Sequence, residues 1–530
     1  MMKKVIKKLL AALLAVAMVC AMAVPAFAYN PGETKEDLNT KHDYGAFQIF
    51  EGVISKDNET LSDVNWGQNI TEPDIFLANL KNDPTIGEKF ETAATAQDVL
   101  AVISKWHDSD DNSIAFARVV CHYLYPDANA NPTPVATDHT GGINIPKSGY
   151  YLIVDTSTFS DDDFYHAYNS FFLLNVPQTP YVVLVNHKVV KPTVEKEVYD
   201  NNDIGSTGGW GSSADHAINE PFQFRLIAKL PASENNGRAY DYYKEYAVCF
   251  TDTLSDGITF DKLDTVEITN GDGSTPQVIN NYTLDPNNPQ SSFKLSIDDV
   301  KTCVPDLNKG ATITVTYTAH LNEKAYVNTV GGGTDNKNSV YLEYSNNPRI
   351  STSLDHTTTS EVCVYTYQLN NTKHQDSENG PVLEGAGFRL YSNEACNAED
   401  EIKLKMNDDG TYSRDFSTEG KGVEMLSNKD GQFNVKGLDA GTYYLRETKT
   451  PDGYSACPDT TIVISATHDE HNVNLSGESN LNNKIINIKA GGITLPSTGG
   501  IGTTIFYVVG GGLMVAAIVL LVTKKRMENK

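Results

Sequence analysis

The chain has 530 residues, with 42 Lys and Arg against 68 Asp and Glu, for a formal net charge of −26. A surface this acidic repels nucleic acid and anionic lipid, which argues against both as partners. At roughly 100–200 residues per domain, the length implies about three domains.

Lys3, Lys4, Lys7 and Lys8 precede an apolar stretch from Leu9 to Val24, followed by the small-x-small triplet Ala26-Phe27-Ala28. This is the layout of a secretory signal, and it predicts a mature chain starting at Tyr29. Between Tyr29 and Thr498 stand 34 basic and 67 acidic side chains, a net of −33.

The first module, 29–187, opens with strand-like residues from His42 to Phe50. Its exceptions are two helical stretches. Thr95 to Trp106 puts Val99, Leu100, Val102, Ile103 and Trp106 on one broad face, and Ser113 to Tyr125 follows in the same style. Between them, Asp108-Ser109-Asp110-Asp111-Asn112 imitates the start of a calcium loop. Ser113 replaces the needed Gly and Val119 the needed Glu, so it reads as a polar loop.

The second module, 188–350, begins at the last residue of Val183-Leu184-Val185-Asn186-His187-Lys188. Strict alternation in Phe222–Ile227, Ala311–Tyr317 and Val340–Tyr344 predicts half-buried strands. It offers Lys196 on its first strand, Asp252 in the middle and Asn338 on its last strand. The Ser351–Ser360 stretch reads as a polar linker. The third module, 357–490, repeats the plan with Lys373, Glu447 and Asn487, and Glu447 opens an E-T-x-x-P-x-G-Y stretch ending at Tyr454. The fold class expected is mainly β: tandem immunoglobulin-like β-sandwich modules, the first with inserted helices.

Cys20 leaves with the signal. Cys121, Cys249, Cys303, Cys363, Cys396 and Cys457 show neither a CxxC pair nor zinc spacing. Outside the cell they are free to oxidise: Cys249 with Cys303, or a pair among Cys363, Cys396 and Cys457, with buried free thiols as the alternative. There is no GxSxG, HExxH or P-loop motif, and the twelve His show no ligand spacing. No enzyme, metal or cofactor is expected.

Near the C-terminus, Leu495-Pro496-Ser497-Thr498-Gly499 precedes an apolar run from Ile501 to about Val522, then Lys524, Lys525 and Arg526. About 20 apolar residues suffice to cross a bilayer, and the basic residues would stay cytoplasmic. This order resembles the sorting signal of Gram-positive surface proteins. The resemblance implies transient membrane insertion, then cleavage between Thr498 and Gly499 by a sortase that joins the Thr498 carboxyl to an amine.

With its internal triads the chain resembles the backbone subunit of a sortase-assembled pilus. The second module resembles the fimbrial isopeptide-formation domain and the third a collagen-adhesin B-type domain. The resemblance implies spontaneous amide bonds Lys196–Asn338, assisted by Asp252, and Lys373–Asn487, assisted by Glu447. The chemistry needs these residue types. Burial keeps a lysine neutral and nucleophilic, and keeps a carboxyl protonated so that it can polarise the Asn carbonyl and shuttle protons as ammonia leaves.

The family's polymerisation acceptor is a lysine in a pattern like V-x-V-Y-P-K. Lys188 takes its position, with Asn186 and His187 replacing Tyr and Pro, and Lys191 is the nearest competitor. The implied partners are a sortase, other copies of the chain joined head to tail, minor pilins and peptidoglycan. The alternatives are a monomeric wall-anchored adhesin or a minor tip or base pilin, since neither needs an acceptor lysine.

Overall fold

The computed structural model describes residues 42–490 apart from 55–60, 108–109, 139–141, 159–166, 169, 177–180, 185–189, 202–207, 234–236, 287–290, 328–335, 418–421, 470–471 and 477–478, together with Leu513. Lys188, the LPSTG motif, the signal segment and the apolar run apart from Leu513 lie outside the described residues. Among the described residues no helix is long and apolar enough to cross a membrane.

In the first module, β1 (Tyr44–Ile54) and β2 (Gly149–Asp155) pair antiparallel at the centre of a five-stranded sheet. Three helices cover it: α1 (Pro73–Asn82), α2 (Ala96–Ile103) and α3 (Asp111–Leu124). The last two match the expected helical stretches, while α1 was not anticipated. Thr95 and Asp98 form a capping box on α2, with Asp98 N donating to Thr95 Oγ1 at 3.2 Å and Thr95 N to Asp98 Oδ2 at 2.9 Å. In the imitation calcium loop, Asp110 instead caps α3 by accepting from Ser113 N at 2.7 Å.

The second module is a sandwich of two sheets. One contains β3 (Thr193–Asp200), β5 (Pro221–Leu230), β7 (Ile258–Asn270) and β8 (Ala311–Leu321) in the order β7-β8-β5-β3, with short strands at both edges. The other contains β4 (Ser213–Asp215), β6 (Val248–Leu254), β9 (Lys337–Ser345) and β10 (Ser360–Tyr365) in the order β4-β10-β9-β6, continued by two shorter strands. Alternation does the work: every second residue of β8, from Ala311 to Leu321, is buried and the rest are half-exposed.

Two expectations are corrected. Residues 351–360 are not a free linker. Leu354–His356 pairs with β9, and β10, starting at Ser360, pairs with β9 and with β4. Val362 and Val364 join the core of the second module, while Cys363 and Tyr365 join that of the third. The second sheet therefore runs past residue 350, and β9, which carries Asn338, is not its last strand. The polar residues of this stretch fit because Glu361 meets Lys337 across the pair at 2.7 Å. The suggested disulfides are also absent among the described residues: no bridge links Cys249 to Cys303 or joins any two of Cys363, Cys396 and Cys457, and Cys121, Cys363 and Cys396 are buried.

The third module is a smaller sandwich. β11 (Tyr367–Gln375) pairs with β13 (Val435–Leu438) on one side and, in parallel, with β15 (Asn482–Lys489) on the other. The facing sheet contains β12 (Gly387–Tyr391) and β14 (Gly441–Lys449). The E-T-x-x-P-x-G-Y stretch moves the chain between sheets. Glu447 is near the end of β14, Gly453 turns with φ +85°, and Tyr454 pairs with Lys489 of β15.

Candidate functional site: two buried lysines

Among the described residues, Lys196 and Lys373 are the only lysines or arginines that are fully buried, at 2% and 0% exposure. Strand alternation puts them there. On β3, Lys196 shares the inward face with Val198, and on β11, Lys373 follows Tyr367, Leu369 and Asn371 inward. An isolated ammonium in such a place is costly, so each lysine must be paired or neutral.

In the second module the two sheets each contribute half of the cluster. Lys196 and Tyr317 come from the β3 sheet, Asp252 and Asn338 from the β6–β9 sheet. Leu254 opposes Asn338 and Asp252 opposes Val340, so Asp252 and Asn338 are same-face diagonal neighbours. Lys196 Nζ contacts Asp252 Oδ2 directly, and both side chains are fully buried. Tyr317 ties the group together. Its hydroxyl accepts from Lys196 Nζ at 3.2 Å and from Asn338 Nδ2 at 2.5 Å, and donates to Asp252 Oδ1 at 3.2 Å. The Phe224 ring packs 5.2 Å from Nζ. Burial pushes Lys196 down to about 8 against the opposing pull of Asp252, and burial pushes the Asp252 carboxyl upward despite Lys196. Both shifts favour the neutral amine and the neutral acid.

In the third module the division differs. Lys373 and Asn487 lie on neighbouring parallel strands, where Lys373 opposes Ile485 and Gln375 opposes Asn487, again a same-face diagonal. Glu447 comes from the facing sheet. Its Oε1 accepts from Asn487 Nδ2 at 2.7 Å and stands 3.8 Å from Lys373 Nζ, while its Oε2 accepts from Cys457 N at 2.8 Å. Lys373 Nζ makes no hydrogen bond and lies 5.2 Å from the Phe388 ring centre. Burial lowers Lys373. The Cys457 thiol beside it is pushed up to about 11, again chiefly by burial.

In both clusters the Asn carbonyl oxygen, Oδ1 of Asn338 and of Asn487, is buried and accepts no hydrogen bond. A half-turn of the Asn487 amide would present Oδ1 to Glu447 Oε1, where a protonated carboxyl donates to it. Each cluster therefore has a nucleophile, an amide electrophile and an acid in one buried group. That is the set needed for attack of Nζ on the Asn carbonyl carbon with loss of ammonia.

All six residues named from the sequence are thus brought together in two groups of three. Tyr317 was missed. Its alternating strand was legible in the sequence, but its hydroxyl looks like any core tyrosine until the facing sheet is in place. Lys191 is half-buried.

Residues 369–479 match the model of a prealbumin-like fold domain, and residues 487–529 match that of the LPXTG cell wall anchor motif. A search of curated proteins finds no match. Among solved structures, the chain is similar to the pilus 2b backbone protein of group B streptococcus, with 22% identity, a TM-score of 0.39, and 52% of this chain and 96% of that one covered. It is similar to the T6 backbone pilin of serotype M6 Streptococcus pyogenes, with 16% identity, a TM-score of 0.44, and coverages of 86% and 97%. It is also similar to the full-length major pilin SpaD from Corynebacterium diphtheriae, with 18% identity, a TM-score of 0.40, and coverages of 85% and 93%. The chain is a cell-wall-anchored surface protein that carries a prealbumin-like fold domain directly before its LPXTG anchor.

Proposed function

We propose that the chain is the structural backbone subunit of a covalently polymerised cell-surface pilus. A sortase joins Thr498 of one copy to Lys188 of the next, and Lys196–Asn338 and Lys373–Asn487 amide bonds brace each copy internally. The observation that carries this reading is the combination of a wall anchor with two buried Lys–acid–Asn clusters in successive sandwiches. A head-to-tail link is heterologous and does not close on itself, so it makes a filament. Each cluster reacts once, so the role is structural rather than enzymatic. Minor pilins and peptidoglycan are the further partners of such a filament.

The internal bonds suit a load-bearing fibre. They close loops of 143 residues (196–338) and 115 residues (373–487), and unlike a disulfide an amide resists reduction. The test is to boil wall extracts in detergent. The reading expects a ladder of covalent multimers that collapses to monomer in Lys188→Ala. A ladder that survives Lys188→Ala but not Lys191→Ala moves the acceptor to Lys191. Monomer alone in the wild type overturns the filament and leaves a wall-anchored adhesin.

A further inference from the structure

Where the second and third sandwiches meet, six ionisable side chains are drawn together in two neighbouring sets. Asp200, Asp215 and His468 form one, and His216, Glu220 and Asp439 the other. Within each set the potential ligand atoms all lie within 4.8 Å of one another. Four of the six come from the second module, while Asp439 and His468 come from the third. Asp439 lies against Asp215, which joins the sets.

This is not an exposed acidic patch. Asp200 and Asp215 are 0% exposed, His216 is 1% and Asp439 is 6%. Two of the buried atoms have no hydrogen-bond partner: Asp215 Oδ1 and His216 Nδ1. The other oxygen of Asp215 accepts from Tyr367 OH at 2.8 Å. The other nitrogen of His216, Nε2, faces the Tyr199 carbonyl at 2.8 Å and donates to it. That bond fixes the tautomer, so Nδ1 carries a bare lone pair and is the nitrogen left for Glu220 and Asp439. A carbonyl holding one ring nitrogen while the other faces carboxylates is the outer-shell arrangement of metal-binding histidines. In the adjoining set His468 also faces a carboxylate, with Nε2 3.4 Å from Asp200 Oδ2 and Nδ1 2.9 Å from the Ser213 hydroxyl.

The second module also fixes the surroundings. Glu220 Oε2 accepts from Ala217 N at 3.0 Å and Oε1 from Asn201 Nδ2 at 3.2 Å, and Arg414 of the third module stands 3.8 Å from Oε2. The backbones are clamped by Ile218 N donating to Gly437 O at 2.9 Å and His216 N to Tyr365 O at 3.0 Å. A buried lone pair and several carboxylate oxygens converging on one point call for a cation.

We propose that this joint binds a divalent transition-metal cation of the zinc or manganese class, held by His216 Nδ1, Glu220 and Asp439, with Asp215 of the adjoining set at its edge. Bond lengths of about 2.0–2.2 Å would close the observed spacing with a small inward shift. The imidazole ligand selects this class over calcium or magnesium, which prefer all-oxygen sites. Because the ligands come from both sandwiches, the ion would fix the angle between them. This does not depend on the pilus reading.

The test uses the tag-free mature chain, treated with chelator and then titrated calorimetrically with Zn²⁺, Mn²⁺ or Ca²⁺ alone. The expected result is saturable binding of Zn²⁺ or Mn²⁺ with a raised melting temperature, and loss of binding in His216→Ala and Asp439→Asn. Intact mass and circular dichroism of both variants should match those of the folded wild type apart from the substitution, which separates a lost ligand from a lost fold. No binding of Zn²⁺ or Mn²⁺ would overturn the proposal and leave a proton as the shared charge of the cluster. Binding of Ca²⁺ alone, or binding unchanged in His216→Ala, would overturn the ligand assignment.

Discussion

Replacing Asn338 with Ala removes the electrophile of the first cluster while leaving Lys196, Asp252 and Tyr317 in place. The main cost is the lost crosslink: closing 143 residues removes loop entropy from the unfolded chain worth about 5 kcal/mol on the disulfide estimate. For a module of this size, about 2–4 °C per kcal/mol gives a fall in melting temperature of roughly 10–20 °C. The assay pairs calorimetry with intact mass. The wild-type mature chain should be lighter than its sequence by one ammonia, about 17 Da, for each bond formed by such nucleophilic attack. Asn338→Ala should lose one of those two deficits. A wild-type mass equal to that of the sequence would refute the bond itself. A variant lacking the deficit yet melting within about 3 °C of the wild type would refute the entropic argument, because the loop term alone predicts more.

Tyr317→Phe should slow bond formation in newly synthesised protein, because the hydroxyl that aligns Asn338 and Asp252 is gone. Once the bond has formed, stability should fall by only about 1 kcal/mol, and unchanged kinetics by time-resolved mass would show that Tyr317 is only packing. The Lys196–Asp252 pair gives a pH profile. Lys196 is lowered to about 8 and Asp252 is raised, so the pair holds one proton between those limits, the count that neutral amine plus neutral acid requires. Bond formation should therefore slow above about pH 8, as the pair loses its proton, and slow again on the acid side at a pH above the ordinary carboxylate range. A rate that climbs steadily to pH 10 would show that free amine alone is limiting. Gly437→Ala should destabilise the joint between the sandwiches by about 1–3 kcal/mol. Gly437 has φ +75°, and an added Cβ would stand 2.3 Å from Ile218 Cγ1, so an unchanged unfolding profile would exclude that role. Thr95→Ala should cost about 1 kcal/mol through loss of the α2 cap, read as a shift in the denaturant midpoint of the first module.

The anchor, the order of the modules and the β character were legible in the chain because each rests on local pattern: a five-residue motif before an apolar run, turn residues between alternating strands, and 3.6-residue spacing in Thr95–Trp106 and Ser113–Tyr125. The six cluster residues were legible through family resemblance and through their types. Their alternation with Val198, Tyr367 and Leu369 then required that a lysine face inward. Register and facing sheets lie beyond local pattern, because they depend on contacts between residues far apart in the chain. Only the tertiary structure decided that Asp252 shares a sheet with Asn338 whereas Glu447 reaches across from the opposite one, and that Tyr317 bridges the first cluster. It alone paired Leu354–His356, within the expected linker, with β9 and gave Ser360–Tyr365 one face in each core, because a polar stretch pairs as well as an apolar one when its backbone bonds and ion pairs are met. It also brought His216 and His468, 252 positions apart in the sequence, into one acidic joint, since the convergence of two domain surfaces leaves no spacing signal in either.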